Sequence, residues 1–386
     1  MEKDSISWAA LALLWVCGVS LRLTVLAVPP VISLIQQDFH LSGTQIGLLS
    51  GIPVVLFALA ATPGSSLISR FGVRKTLLAG LAIAAAGGAL RAFSSDIWQF
   101  YLMSIVMSAG IAIMQPAMAA AVRNWIPHRA AFGTALYTNG LLVGEIVPVA
   151  AMLPIVLPLM GGWRPALGIW SVPLIAAFVL VALFRRRSPS GAAAGHPVRW
   201  LPELNSRLNW RIGMMLGSVS SVYFCTNGFL PGYLTGNGHP ELVGPALTAL
   251  NFGQIPASFL LIATADRIEG KSWPYLLCGL LFLVCIVGIM GSASEWTVFW
   301  AGLVGALCGF GLSLCLALSP LLCRHPDDVA RTSAAAFAIA YGFAMLVSCC
   351  AGAAWDAVGS VDAALIPILL GTLPIIVLAP SLVLKR

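Results

Sequence analysis

Charge is scarce in this chain. Asp, Glu, Lys and Arg make up 9% of its 386 residues and apolar residues 59%, whereas soluble domains carry about 25% charged residues. A water-solvated globular protein is thereby excluded. Runs of 18 or more apolar residues with almost no charge read as membrane spans, and there are many. Cysteine pairing is missing too. None of the nine cysteines forms a C-x-x-C pair, and Cys278/Cys285 and Cys308/Cys315 recur at helical spacing within apolar runs. They read as small buried thiols, not as a disulfide framework or a zinc site. The five histidines fall in loops or at span ends, and H-E-x-x-H and G-x-S-x-G are both absent, which leaves membrane proteolysis and serine hydrolysis without a constellation. Nor are there the alternating ten-residue segments of a membrane β-barrel.

What remains is a succession of apolar runs. Breaks of charge, Gly, Pro or Asn divide them into twelve expected spans, near 6–35, 44–69, 76–94, 97–122, 130–158, 165–184, 212–234, 245–265, 273–292, 296–321, 332–354 and 363–384. Backbone groups in lipid must be satisfied within the segment, so the spans are expected to be helices, giving an all-α membrane protein. The run after Met1–Asp4 is too long for the core of a cleavable signal and reads as a retained span.

An even number of spans places both termini on one side. If that side is cytoplasmic, it receives all of the 21 basic residues except Arg22, Arg91 and Arg164, an asymmetry that orients the chain in a cell inner (plasma) membrane. Arg91 and Arg164 are expected at the opposite face. The net charge of +7 is thus topological and does not argue for nucleic acid. The longest polar stretch, Phe184 to Arg211, is rich in Pro, Gly and Ser. It suggests an N-terminal six-helix bundle over 1–184, a cytoplasmic linker over 185–211 and a C-terminal six-helix bundle over 212–386. The halves echo each other: "SRFGVRK" follows span two and "ADRIEGK" follows span eight, while Gln115-Pro116 and Ser319-Pro320 end spans four and ten before basic loops. Equivalent positions in two halves are what a duplicated transporter predicts.

Two residues of fixed sign lie deep within the spans: Arg22 in span one and Glu145 in span five. Each costs roughly 2.5–3.5 kcal/mol at the bilayer centre unless paired or wetted. A purely structural ion pair is one reading, although an apolar pair is often as stable. The other is a site in a water-accessible cavity, where Arg22 holds an anionic group with its fork of donors. Burial favours the neutral form of Glu145 and a neighbouring cation the charged form, which makes it a candidate proton carrier. Helical spacing puts Trp15, Gly18, Arg22 and Pro29 on one face of span one, and Thr138, Leu141, Glu145 and Met152 on one face of span five with Tyr137 at its edge. Gly18 admits close approach of a ligand or a helix. In the second half, Tyr223, Asn227 and Pro231 form one polar stripe and Thr248, Asn251, Gln254 and Ser258 another, suited either to interhelical hydrogen bonding or to lining a cavity. Gln115 and Tyr341 are further candidates for substrate contact.

"ADRIEGKS", Ala265 to Ser272, has the tail of a phosphate-binding P-loop. It sits in a short turn between spans, without the strand, helix and soluble domain such a loop requires. ATP is therefore not expected as the energy source, and no cofactor or metal is implied.

The segments "LRLTVLAVPPVISLI", "LSGTQIGLLSGIPVVLFAL", "RFGVRKTLLAGLAI", "LRAF", "GTALYTNGLLVG" and "GGWRPALGIWSVP" resemble the major facilitator superfamily, specifically its cyanate/2-nitroimidazole transporter-like branch. In the second half the resemblance is carried by "ARTSAAAFAIAYGFA" and "WDAVG". It implies two pseudo-symmetric six-helix bundles, alternating access, a central site for small anions or small polar aromatic compounds, and a monomer in membrane lipid. It also places Arg22 beside the substrate and assigns gating to Arg70, Arg74, Asp266 and Arg267. Three positions depart from the branch. Ser69 stands where the loop signature carries an acid, Gln115 where Asn is usual, and Glu145 where a small residue is usual.

The expected function is secondary transport of a small anion or carboxylate with a proton. Efflux of a neutral or zwitterionic compound by proton antiport is a second reading, and a channel or receptor that does not pump is a third.

Overall fold

The computed structural model describes residues 8–59, 67–126, 129–184, 205–268, 271–292, 294–323 and 326–381, and every described element is helical. Nine stretches among these residues are long and apolar enough to cross a membrane. The other three expected spans are also helical. One is the shorter α4 (Gly43–Leu59). Another is the 30-residue α12 (Arg207–Gly236), diluted by Arg207 and Arg211. The third is broken at Gly253 into α13 (Val243–Phe252) and α14 (Gln254–Ile268).

Several expected spans are interrupted. The first consists of α1 (Trp8–Ser20), α2 (Leu23–Leu26), a 3-10 turn at Pro29–Val31 and α3 (Ile32–Phe39). The helical face projected from Trp15 to Pro29 is therefore broken after Ser20, and broken again before Pro29 and Pro30, which lack the N–H groups that would continue a helix from Val25 and Leu26. The fifth is α8 (Ala130–Ala151), a π-helical turn at Met152–Val156 and α9 (Leu157–Met160), which Gly161 closes at φ 72°. The helix at 67–71, α5, meets α6 (Val73–Arg91) through Gly72, whose φ of 80° lies in the left-handed region that favours glycine. α7 (Ile97–Trp125) is started by Asp96, whose Oδ1 accepts from the N–H groups of Trp98 (2.8 Å) and Gln99 (3.0 Å). The remaining helices are α10 (Trp163–Ile169), α11 (Val172–Leu183), α15 (Trp273–Gly291), α16 (Trp296–Leu322), α17 (Pro326–Val358), α18 (Leu365–Gly371) and α19 (Leu373–Leu378). Trp8, Trp98, Trp210, Trp273 and Trp296 are exposed in the first turn of their helices, where an interfacial aromatic belt places them.

The helices pack into two compact units. The first comprises 1–28 and 59–200. Its core is built on α6 against α7, where Gly80, Gly87 and Gly110 bring the two backbones together around buried Leu77, Leu81, Ile111 and Met114. The second comprises 29–58 and 201–386. Of the expected linker, residues 185–204 lie outside the described residues.

Small residues explain how α4 joins the second unit. Gly43, Gly47 and Gly51, one turn apart, lie against Gly352, Ser348 and Met345 of α17, and Ser348 Oγ donates to the Gly47 carbonyl at 2.8 Å. Ser42 and Gln45 cap the start of α4 reciprocally, the Gln45 N–H donating to Ser42 Oγ (3.3 Å) and the Ser42 N–H to Gln45 Oε1 (2.9 Å), and Asp356 of α17 adds acceptors for two further N–H groups. Its two oxygens accept from the N–H groups of Gly43 (2.5 Å) and Thr44 (2.8 Å), two of the donors a helix start leaves unpaired. Asp356→Ala is expected to destabilise the protein by about 1 kcal/mol, the usual loss for an N-cap; Asp356→Asn should retain part of it. A lower thermal midpoint for the alanine variant in detergent, absent from a control substitution at exposed Ser381, checks this.

Candidate functional site around Arg22 and Glu145

The break in the first span falls at Arg22, which serves as the N-cap of α2 at φ −123°, ψ −24°. The Leu21 and Arg22 N–H groups donate back to Gly18 O (3.1 Å) and Val19 O (3.3 Å), closing α1 in a tight turn. The guanidinium therefore leaves the chain at an interruption of the helix, inside the first unit. Its Nε lies 3.2 Å from Oε1 of Glu145 on α8, with side-chain exposures of 12% and 5%. A buried carboxylate and a nearly buried guanidinium are held as a pair.

Three glycines hold α1 and α8 close enough for this. A Cβ on Gly18 would collide with the Tyr137 carbonyl, one on Gly140 with the Trp15 carbonyl and one on Gly144 with the Val19 carbonyl. The room at Gly18 is thus used by a helix. Trp15 and Tyr137, both half-buried, flank this contact, and Trp15 Nε1 donates to Asn139 Oδ1 at 3.0 Å. Asn139 was not among the residues expected from the sequence, although "YTNG" places it two positions from Tyr137. Gln115 is half-buried on α7 of the same unit.

The second unit gathers three of the expected polar residues into one buried set. Tyr223 Oη donates to Asn251 Oδ1 at 2.7 Å, Asn251 Nδ2 to Asn227 Oδ1 at 3.0 Å and to Leu247 O at 2.8 Å, and Asn227 Nδ2 to Tyr223 O at 3.0 Å. Burial without partners would penalise each of these amides; here each partners the next. Gln254 is buried at the start of α14 against Gly309, and Tyr341 stacks edge-on to Phe57 and tilted on Phe337.

Of the residues expected in gating loops, Arg70 is exposed. Arg74 donates from Nε to Val181 O (3.1 Å) and from Nη2 to Ala182 O, which satisfies carbonyls at the end of α11. The side chains of Asp266 and Arg267 lie outside the described residues. Arg91, expected toward the membrane face opposite the termini, is buried within the protein, with 1% exposure. Its place at the end of an apolar run gave no sign of this, because burial is decided by α7, α10 and α11 packing around it.

Comparison with known proteins bears on the family and the fold. The Major Facilitator Superfamily model matches residues 14–354. The chain is similar to the 2-nitroimidazole transporter of Escherichia coli (27% identity over 306 residues, 76% of each chain). It is also similar to the cyanate transport protein CynX of the same organism (24% over 312 residues, 80% of each). Among solved structures it superposes on a D-xylose–proton symporter with a TM-score of 0.76 at 14% identity, covering 98% of this chain and 97% of the other. That likeness speaks to the fold.

The pair makes an asymmetric prediction. Glu145→Ala strands a buried guanidinium and should cost about 3–5 kcal/mol, whereas the double change Arg22→Met/Glu145→Leu should recover most of the loss. Thermal unfolding of the three proteins in detergent checks it, and a double variant no more stable than the single would overturn it.

Proposed function

Because the chain belongs to the Major Facilitator Superfamily, it is a multi-pass membrane transporter and not an enzyme, and we propose that its cargo is a small anion or carboxylate moved together with a proton. The observation that carries this reading is the Arg22–Glu145 pair at 3.2 Å. Nothing in an apolar span requires such a pair for stability, since an isosteric apolar pair often serves as well. Its use lies in being exchangeable.

The proposed cycle follows from charge conservation. In the empty carrier Arg22 is neutralised by Glu145. An incoming anion takes the guanidinium, for which a planar fork of donors suits a carboxylate or similar group. Glu145 is then a lone carboxylate in a medium of low dielectric, where the charged form is costly, and it takes up a proton. The loaded site has the same net charge as the empty one, so either can change access. Trp15, Gln115 and Tyr137 supply further contacts in the first unit; Tyr223, Asn227, Asn251, Gln254 and Tyr341 are the candidates in the second. The gating role remains with Arg70, Arg74, Asp266 and Arg267. The proposal also includes alternating access by two six-helix bundles over 1–184 and 212–386, both termini cytoplasmic, in the inner (plasma) membrane, as a monomer.

A relative named for cyanate transport, an anion's, supports this reading. One named for 2-nitroimidazole favours the second, proton-coupled efflux of a small neutral or zwitterionic compound. The Trp15 and Tyr137 rings would serve it by contacting an organic ring.

Ligand-dependent stability of the purified protein separates the two. A panel of small anions, short carboxylates, zwitterions and nitroaromatics is screened at pH 5.5 and 7.5; a ligand at 100 times its Kd adds about 2.7 kcal/mol. Anions are expected to stabilise the wild type and not Arg22→Ala. In proteoliposomes, Glu145→Gln should abolish accumulation driven by ΔpH alone; accumulation at the wild-type level would remove Glu145 from proton coupling. Stabilisation by neutral or zwitterionic compounds only, with no anion uptake, would make efflux the leading reading.

A further inference from the structure

A second buried cation lies in the first unit. Arg91, at the end of α6, is 1% exposed, and its one hydrogen bond among the described residues runs from Nη2 to the carbonyl oxygen of Thr24 at 3.1 Å. That carbonyl is available because α2 ends early: the Val28 N–H donates to Val25 O instead. Phe100 lies under the guanidinium, 5.5 Å from its ring centroid, which offsets part of the desolvation. No carboxylate pairs with Arg91 among the described residues, and its Nε has no acceptor.

Its surroundings repeat the imbalance. Trp170 Nε1 and the hydroxyls of Thr24, Ser94 and Ser171 are buried and without partners among the described residues. Packing brings several of them to one place. A Cβ on Gly88, one turn before Arg91 on α6, would stand 2.7 Å from Ser171 Oγ and 3.6 Å from the Thr24 methyl. One on Gly168 would stand 3.1 Å from the Ala92 Cβ, so the α10–α11 turn that carries Trp170 and Ser171 lies against the end of α6. A guanidinium and an indole N–H can only donate, and a hydroxyl can donate. The cluster is positive and holds no anionic acceptor among the described residues, and its hydroxyls, which also accept, carry no charge to offset the guanidinium, whereas buried polar groups are normally satisfied.

We propose that Arg91, Thr24 and Ser171 bind a small inorganic anion, a halide such as chloride. A spherical ion accepts from several directions at once and cancels the charge that no side chain cancels. A water molecule would satisfy the hydroxyls but leave the guanidinium uncompensated. The ion would fasten the broken first span to α6 and α11. The site uses none of the residues of the proposed cargo site.

The test uses the full-length protein in detergent, with its thermal midpoint measured in sodium chloride or bromide against sodium gluconate at equal ionic strength. The wild type should show a saturable rise of the midpoint with halide. The rise should persist in Arg22→Met/Glu145→Leu, disappear in Arg91→Met and shrink in Ser171→Ala. No halide dependence in the wild type would overturn the proposal. So would a dependence lost in the Arg22/Glu145 double variant but kept in Arg91→Met, which would put the halide at Arg22. If Arg91→Met cannot be purified, anomalous diffraction from bromide-soaked wild-type crystals decides. A peak beside Arg91 supports the site, and its absence at saturating bromide overturns it.

Discussion

The structure depends on keeping a guanidinium and a carboxylate together where water is scarce. At 3.2 Å, with the carboxylate almost fully buried, neither Arg22 nor Glu145 is tolerable alone in an apolar span. The neighbouring architecture serves that pairing. The first span is interrupted at Arg22, and α1 and α8 approach through Gly18, Gly140 and Gly144, where any side chain would strike a backbone carbonyl. The closeness that makes the pair strong is also what would make its exchange for an anion consequential. Removing one partner leaves the other in the same low dielectric.

The same economy of small residues recurs wherever helices meet. Lipid gives apolar side chains little reason to prefer each other over acyl chains, so association rests on close van der Waals packing and on hydrogen bonds between helices. Gly80, Gly87 and Gly110 do this for α6 and α7, and Gly43, Gly47 and Gly352 for α4 and α17. Polar groups appear at these seams with their partners arranged: Ser348 on the Gly47 carbonyl, Asp356 on the first turn of α4, and Tyr223, Asn251 and Asn227 on one another. The donors around Arg91 have no such partners among the described residues.

Much of this was legible in the sequence because the bilayer simplifies the problem. Apolar run length reports a span directly, and all-helical architecture follows from the need to satisfy backbone groups in lipid. Arg22 and Glu145 were visible as candidates for the same reason: a charge in the middle of such a run is costly unless it is paired or wetted. Where the runs break internally was less legible. The kink at Leu21–Arg22 and the π-helical turn at Met152–Val156 lie inside continuous apolar runs, and a hydropathy pattern does not record them. Asn139 and Asp356 were missed because their partners, Trp15 and the start of α4, lie 124 and 312 or more residues away in sequence.

The sequence by itself determined the helical class, the span order and the two deep charges, since each follows from the cost of polar groups in hydrocarbon, a property of composition along the chain. Tertiary structure alone decided that Arg22 meets Glu145, that Tyr223, Asn227 and Asn251 satisfy one another, and that Arg91 is enclosed. Those outcomes depend on which helix faces approach within hydrogen-bonding distance. That approach is set by backbone breaks and glycine contacts between segments remote in the chain.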